Sequence, residues 1–287
     1  MTLFQALILG ILQGATEFIP VSSSGHLVLL PWLLRWEQAG LAFNAVAHWG
    51  TALAVIVYFR EDWVLLVRAA LGSLRDVGYR LLGGAGAGRS QPRSNPTDAA
   101  HRSLVWLLVV GTVPGALIGY LFDDFFEQMF SRPVAAAGFL LVTAALLAGS
   151  ERWGRRDRKL GELTWVDAVV IGLAQALAIF PGISRSGATI AAGLSRGVER
   201  QPAARFSFLL ATPIIVGAGS LQVIELIRRG GLVDQAPILI AGFIAAALVG
   251  FGCIHFLLRY LENRRLYPFA VYCVLVSVFA LTLALVV

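Results

Sequence analysis

Six stretches of this chain, at about 41–60, 103–122, 133–150, 203–222, 236–258 and 267–286, are long and apolar enough to cross a bilayer. A spanning helix takes roughly 18 or more such residues. No water reaches that depth, so each run must satisfy its backbone amides and carbonyls internally, and runs of this length do so as helices. Composition agrees: 57% of the 287 residues are hydrophobic and 14% are charged, with a mean hydropathy of +0.76. The expected fold class is an all-α polytopic membrane protein with one integral domain, 1–287. Its net charge of +6 is nearly all arginine, Lys159 being the only lysine. These arginines lie in loops without interleaved exposed aromatics, so they report orientation and exclude a nucleic-acid partner. Cys253 and Cys273 both fall in apolar runs and read as buried small residues, not as a disulfide or metal pair. The N-terminus has no basic region and no obvious small-residue cleavage site, so no removable signal peptide is expected.

Polar residues interrupt this hydrophobicity twice, in the same order. Gly10, Gln13, Phe18, Ser22, Ser24 and Gly25 recur, without a gap, 162 positions later as Gly172, Gln175, Phe180, Ser184, Ser186 and Gly187. Residues 2–17 and 24–35 flank Pro20 and a serine turn; 165–179 and 187–197 flank Pro181 and Gly182. Each flank is too short to cross a core of about 30 Å at 1.5 Å per residue. Two short helices around a Pro/Gly/Ser break read as a re-entrant hairpin, tolerated at membrane depth only inside protein or a wet cavity. The expected architecture has about six spanning helices and two re-entrant helical hairpins, with one repeat over about 1–122 and the other over about 133–287.

Loop charge sets the orientation. Arg60, Arg68, Arg75, Arg80, Arg89, Arg93 and Arg102 fall in 60–102; Arg152, Arg155, Arg156, Arg158 and Lys159 fall in 151–160. With Arg196, Arg200, Arg205, Arg259, Arg264 and Arg265, they mark cytoplasmic loops. The loop of Asp123, Asp124 and Glu127 faces the other side, as does that of Arg228 and Arg229, which mildly conflicts with the rule. Both termini are then extracytoplasmic. Three spans separate the hairpins, so the hairpins enter from opposite faces, an inverted-topology repeat whose broken tips meet near the midplane. Residues 61–80 place Trp63, Val67, Ala70, Leu71 and Leu74 on one face and read as an interfacial helix. Residues 83–97, rich in Gly, Ser, Pro and Arg, read as a flexible loop.

Charged and polar groups at membrane depth are expensive and mark function. Gln13 and Glu17 share a helix face. A carboxylate there could hold a divalent cation, act as a base or orient His26, or it could simply brace the hairpin. Ser22, Ser23, Ser24 and Gly25 open a helix, where free amides and the dipole favour an anion, although serines also cap helices everywhere. Their hydroxyls offer a nucleophile if Glu17 or His26 takes the proton. His26 lies near a carboxylate and serines, which suits acid–base work, while a lone histidine is ordinarily a satisfied core residue. His48, before Trp49 and Gly50, could line the same cavity; His255 reads as interior packing and His101 as a loop residue. Ser184, Arg185, Ser186 and Thr189 supply the complement: the guanidinium needs either Glu17 or a ligand phosphate. No His/Cys/Asp/Glu cluster has the spacing of a closed metal site. Together, Arg185 and two helix N-termini could hold the charges of a pyrophosphate or stabilise a phosphoryl group in transfer. A secondary transporter or flippase of a lipid phosphate could use the same repeat.

The stretch Gln13-Gly14-Ala15-Thr16-Glu17-Phe18-Ile19-Pro20-Val21-Ser22-Ser23-Ser24-Gly25-His26 resembles the first signature of undecaprenyl-pyrophosphate phosphatases of the bacitracin-resistance type. Pro181-Gly182-Ile183-Ser184-Arg185-Ser186-Gly187-Ala188-Thr189 resembles the second. The resemblance extends over the full length and the order of spans. It implies removal of the terminal phosphate from undecaprenyl pyrophosphate, returning the monophosphate carrier to cell-wall synthesis. It also implies a multi-pass protein of the bacterial inner membrane, with inverted repeats, re-entrant hairpins and a site open to the periplasm. Carried over by position, Glu17, Ser23, His26 and Arg185 are the catalytic set. Ser22, Ser24, Ser184, Ser186 and Thr189 would line the phosphate site, and the reading of the residues themselves adds Gln13, Gly25 and His48 to the substrate-binding set. A divalent cation, Mg²⁺ or Ca²⁺, is expected, with Glu17 as its ligand. The family's motif begins with Glu or Gln; Gln13 here removes a second carboxylate and weakens a metal role at that position. The partners expected are a polyprenyl pyrophosphate lipid, the membrane and a second copy of the chain. Three nucleophiles stay open: Ser23, His26, or a metal-bound water.

Overall fold

The computed structural model describes residues 1–81, 96–130, 132–153, 156–229 and 232–286. The stretch read as a flexible loop lies outside these residues, except for Pro96 and Thr97, which begin a helix; Arg89, Arg93 and Arg155 lie outside them as well. Twelve α-helices follow in order: α1 (Leu3–Phe18), α2 (Ser23–Leu34), α3 (Leu41–Tyr58), α4 (Arg60–Leu81), α5 (Pro96–Leu121), α6 (Asp123–Phe130), α7 (Pro133–Trp153), α8 (Trp165–Leu177), α9 (Arg185–Ser195), α10 (Arg200–Arg229), α11 (Leu232–Asn263) and α12 (Tyr267–Val286). Among the described residues there is no strand, only an isolated bridge between Arg158 and Val198. Among the described residues six helices are long and apolar enough to cross a membrane: Leu41–Tyr58, Ala99–Leu121, Pro133–Trp153, Arg200–Arg228, Gln235–Asn263 and Tyr267–Val286. These coincide with the six runs read from the sequence. The protein is an integral membrane protein.

The two copies are built alike down to their caps. Thr2 Oγ1 accepts from the Gln5 amide at 3.2 Å, and Gln5 Oε1 accepts from the Thr2 amide at 2.8 Å. At the same offset of 162 residues, Thr164 Oγ1 accepts from the Asp167 amide at 3.3 Å and Asp167 Oδ2 accepts from the Thr164 amide at 2.8 Å. Both are reciprocal capping boxes, which satisfy two otherwise orphan donors. α1 stops at Phe18 because Ile19 is held extended (φ −61°, ψ 128°) ahead of Pro20, where helical backbone would clash with the proline ring. α8 stops four residues before Pro181. Each copy also presses a glycine against a neighbouring backbone. A Cβ at Gly10 would fall 2.6 Å from the Gly242 carbonyl oxygen of α11; one at Gly172 would fall 2.4 Å from the Gly111 carbonyl oxygen of α5. Small residues let membrane helices approach this closely.

α1 and α3 both pack on α11, α8 packs on α5, α12 on α7, and α9 sits among α7, α8 and α10. The core between the copies holds Phe18 of α1 edge-on to Phe208 of α10, with ring centroids 5.1 Å apart and planes at 81°. Apolar residues on the outer faces, such as Val271, Leu275 and Phe279 of α12, are exposed, as lipid-facing positions must be. On α4 the stripe of Val67, Leu71 and Leu74 is exposed and Leu66 is buried.

Two sequence readings are corrected here. His255 is exposed, not interior. Its Nδ1 lies 3.3 Å from Tyr58 Oη, at the rim of a cavity of about 670 Å³ that also touches Asp62, Arg205 and Glu262. His101 belongs to α5, not to a loop. Three of the arginines counted only as topological markers, Arg158, Arg196 and Arg200, are also tied down. Glu151 accepts from Arg200 Nε at 2.8 Å and Nη2 at 2.7 Å, and from the Leu266 amide at 2.9 Å. Asp167 accepts from Arg158 Nη2 and Arg196 Nε, each at 2.7 Å. Burial by itself would raise the Asp167 carboxyl; those two guanidinium groups and Thr164 outweigh it and hold the group well below the usual carboxylate range.

Candidate active site

Two polypeptide breaks converge on one carboxylate. Ser22 is the N-cap of α2: its Oγ accepts from the Gly25 amide at 3.2 Å and lies 3.3 Å from Ser24 Oγ. Ser184 is the N-cap of α9: its Oγ accepts from the Gly187 amide at 3.0 Å and lies 3.2 Å from Ser186 Oγ. Each capping hydroxyl keeps its own proton for donation. The first helical residue after each cap is the chemically distinctive one, Ser23 in α2 and Arg185 in α9, again 162 positions apart. The backbone at the first break is strained, since Ser22 has φ 73°, a value an L-residue adopts only when its surroundings impose it. At the second break Gly182 takes φ 104°. The breaks touch: a Cβ on Gly25 would fall 3.0 Å from Gly182 Cα. Gly25 thus serves close packing.

Glu17, on the last turn of α1, is 5% exposed. Its Oε1 accepts from Arg185 Nη2 at 2.6 Å. Its Oε2 accepts from Ser23 Oγ at 2.5 Å and from Gln13 Nε2 at 3.0 Å. His48 Nε2, from α3, lies 3.7 Å from the same Oε2. The His48 ring is oriented by its Nδ1, which donates to the Asn44 carbonyl at 2.7 Å. Acid, hydroxyl, guanidinium, amide and imidazole therefore surround one point, drawn from α1, α2, α3 and α9. Two buried polar atoms at this point have no partner, Arg185 Nη1 and Gln13 Oε1. Buried groups left unpaired carry a penalty of about 1–3 kcal/mol each, which a bound ligand would relieve.

Two candidates stand differently from the sequence reading. His26 faces neither Ser23 nor Glu17: its Nδ1 meets the Ser22 carbonyl at 2.7 Å and its Nε2 meets Tyr272 Oη of α12 at 2.8 Å. The imidazole nearest the carboxylate is His48. Thr189 has its hydroxyl engaged, donating to the Arg185 carbonyl at 2.7 Å beside Ser207 Oγ at 2.6 Å. It braces the turn that carries Arg185 and does not line the anion site. Thr143 of α7 escaped the sequence reading. It donates to the Gly182 carbonyl and accepts from the Ser184 amide, both at 2.8 Å, and so fixes the second break. A threonine within an apolar run has no spacing that announces such a role; Tyr272, at the far end of the chain, has none either.

For a divalent cation the donor set is thin. Among the described residues no group of three or more His, Cys, Asp or Glu side chains gathers. The carboxylate of Glu17 and the unpartnered Oε1 of Gln13 are the oxygens available. A hard cation accepts so few protein ligands when phosphate oxygens complete its shell. These residues fit a cation that arrives with a diphosphate, not a closed protein site.

The family described as bacitracin resistance protein BacA matches residues 6–279. A protein named undecaprenyl-diphosphatase from Desulforudis audaxviator (strain MP104C) is 41% identical over 282 residues, covering 98% of this chain and 98% of that protein. Proteins of the same name from Moorella thermoacetica and Rubrobacter xylanophilus are 41% identical over 277 residues and 42% identical over 272 residues. The former match covers 96% of both chains and the latter 94% of both. With the match running from the capped first helix to the last span, this chain belongs to the bacitracin resistance protein BacA family.

Proposed function

We propose that this chain hydrolyses undecaprenyl pyrophosphate to undecaprenyl phosphate and inorganic phosphate, with the carboxylate between the two breaks at the centre of the chemistry. It is a prenyl-diphosphate phosphatase, as its relatives' name says of them. One observation carries the residue assignment: Ser23 and Arg185, from opposite halves of the sequence, meet on the same carboxylate at 2.5 and 2.6 Å. Arg185 holds the terminal phosphate through its unpaired Nη1, aided by hydroxyls at the N-termini of α2 and α9. Ser23 Oγ attacks the terminal phosphorus while Glu17 Oε2 takes its proton. The bond from phosphorus to the bridging oxygen breaks, and undecaprenyl phosphate leaves with both bonding electrons. Glu17 passes the serine's proton to the departing phosphate oxygen; water then gives a proton to Glu17 as its oxygen attacks the phosphoserine, the bond from phosphorus to Ser23 Oγ breaks with its electrons on Oγ, and Glu17 returns the proton to that oxygen as inorganic phosphate leaves. Arg185 offsets the charge that builds on the transferring group.

The His26 geometry supports Ser23 as nucleophile, because Nε2 is already occupied by Tyr272. A divalent cation, Mg²⁺ or Ca²⁺, belongs to this reading: Glu17 and Gln13 Oε1 would hold it, and when bound it supplies positive charge against the diphosphate oxygens. The reading also includes an inverted repeat with two re-entrant hairpins, the bacterial inner membrane, and a site open to the periplasm. The duplicated caps and breaks support the repeat. Because Glu17, Ser23 and Arg185 meet within one chain, a homodimer would carry two complete sites. The transporter reading is not favoured: a carrier needs the guanidinium and helix ends, but not a hydroxyl held on a carboxylate.

The deciding experiment is phosphate release by purified protein from a short-chain prenyl pyrophosphate, with Mg²⁺ or Ca²⁺. Stoichiometric release supports the hydrolase. No release above blank with either ion overturns it.

A further inference from the structure

We propose that Tyr272 is a positioning residue of this site, whose hydroxyl fixes the orientation and tautomer of His26. The proposal rests on the hydrolase reading above for its kinetic consequences, but not for its geometry. His26 Nδ1 is 2.7 Å from the Ser22 carbonyl oxygen. A carbonyl only accepts, so Nδ1 carries the hydrogen. In the neutral ring Nε2 then offers a lone pair, and Tyr272 Oη, 2.8 Å away, donates to it. The two rings are nearly parallel, at 10° with centroids 5.6 Å apart. Both ring nitrogens are therefore held, one by the strained cap of α2 and the other by a helix 246 residues further on.

A histidine whose second nitrogen is unheld can turn over about its ring bond and exchange tautomers. Here either motion breaks a hydrogen bond. The clamp also explains why His26 is turned from Glu17, leaving His48 as the imidazole near the acid. Tyr272 sits on the outer side of α12 and is 42% exposed, beside Val271. It thus ties the buried histidine to the face of the molecule where a polyprenyl tail has to remain in lipid. His26 is held facing that side rather than the serine.

Tyr272→Phe removes the hydroxyl and keeps the ring. Outer-shell partners that orient a metal-ligating histidine contribute about ten- to a hundredfold when lost, and that scale sets the expectation for a residue that holds a histidine against the cap of α2. The expected result is that loss in kcat, with KM for a short-chain prenyl pyrophosphate changed less than about twofold. His26→Ala should show a comparable loss, and adding Tyr272→Phe to it should lower kcat no further, because the two act as a unit. In histidine-labelled protein, the ¹⁵N signals of His26 should show the Nδ1–H tautomer in wild type and a tautomer mixture in Tyr272→Phe. Wild-type kcat in Tyr272→Phe, losses that multiply in the double variant, or an unchanged His26 spectrum would each overturn the proposal. If wild-type protein releases no phosphate, the hydrolase reading fails, and the ¹⁵N comparison still decides the clamp.

Discussion

Ser23 and Arg185 occupy the same place in the two copies, the first helical residue after a serine cap. A hydroxyl stands there in one copy and a guanidinium in the other, and both reach Glu17. Ser23→Ala is expected to remove turnover by about a thousandfold or more, the scale seen when a covalent nucleophile is lost, measured as phosphate release; its melting temperature should stay near wild type. Arg185→Lys should lose about a hundredfold, because a point charge cannot both hold Glu17 and present a second donor to phosphate. Equal rates in Arg185→Lys and wild type would refute the phosphate contact. The residues that gather at Glu17 were legible in the sequence because ionisable groups amid apolar runs stand out. The direction of His26 was not, since its partner comes from α12 and only the folded chain shows it.

At the scale of the helix, the duplicated caps and glycines carry the architecture. Gly172→Val would drive two methyl groups into the Gly111 backbone; overpacking of this kind costs about 1–3 kcal/mol. The expected result is a lowered melting temperature in detergent, with KM of the surviving fraction unchanged. Asp167, at the start of α8, anchors Arg158 and Arg196. Its folded-state carboxyl is depressed, so its contribution is complete above the unfolded value of about 3.9 and is lost only as pH falls through the lower folded value. Thermal stability should therefore show no loss from this group between pH 8 and 5. Asp167→Asn should lower stability by about 2 kcal/mol, less than a fully buried pair because both arginines keep access to water. The spans were legible from hydropathy, and the short helices on either side of each break from length and proline. The ion pairs were not: loop arginines look alike in a sequence, and only the fold shows Arg200 gathered by Glu151 and Arg158 and Arg196 by Asp167.

For the whole molecule, orientation is the open test. The orientation expected from loop charge would put α4 in the cytoplasm and Phe122 outside. A single cysteine at Arg68→Cys, in a chain lacking Cys253 and Cys273, should resist an impermeant thiol reagent added to intact cells. One at Phe122→Cys should react; the reverse pattern would invert the topology. The bond between Glu17 and Arg185 spans 168 residues, and it has a consequence for biogenesis. The ribosome finishes α1 long before the guanidinium that will neutralise it exists. Until then Glu17 has only the partners made early, Gln13, Ser23 and His48, so α1 and α2 are expected to reach their final packing only after α9 has been made.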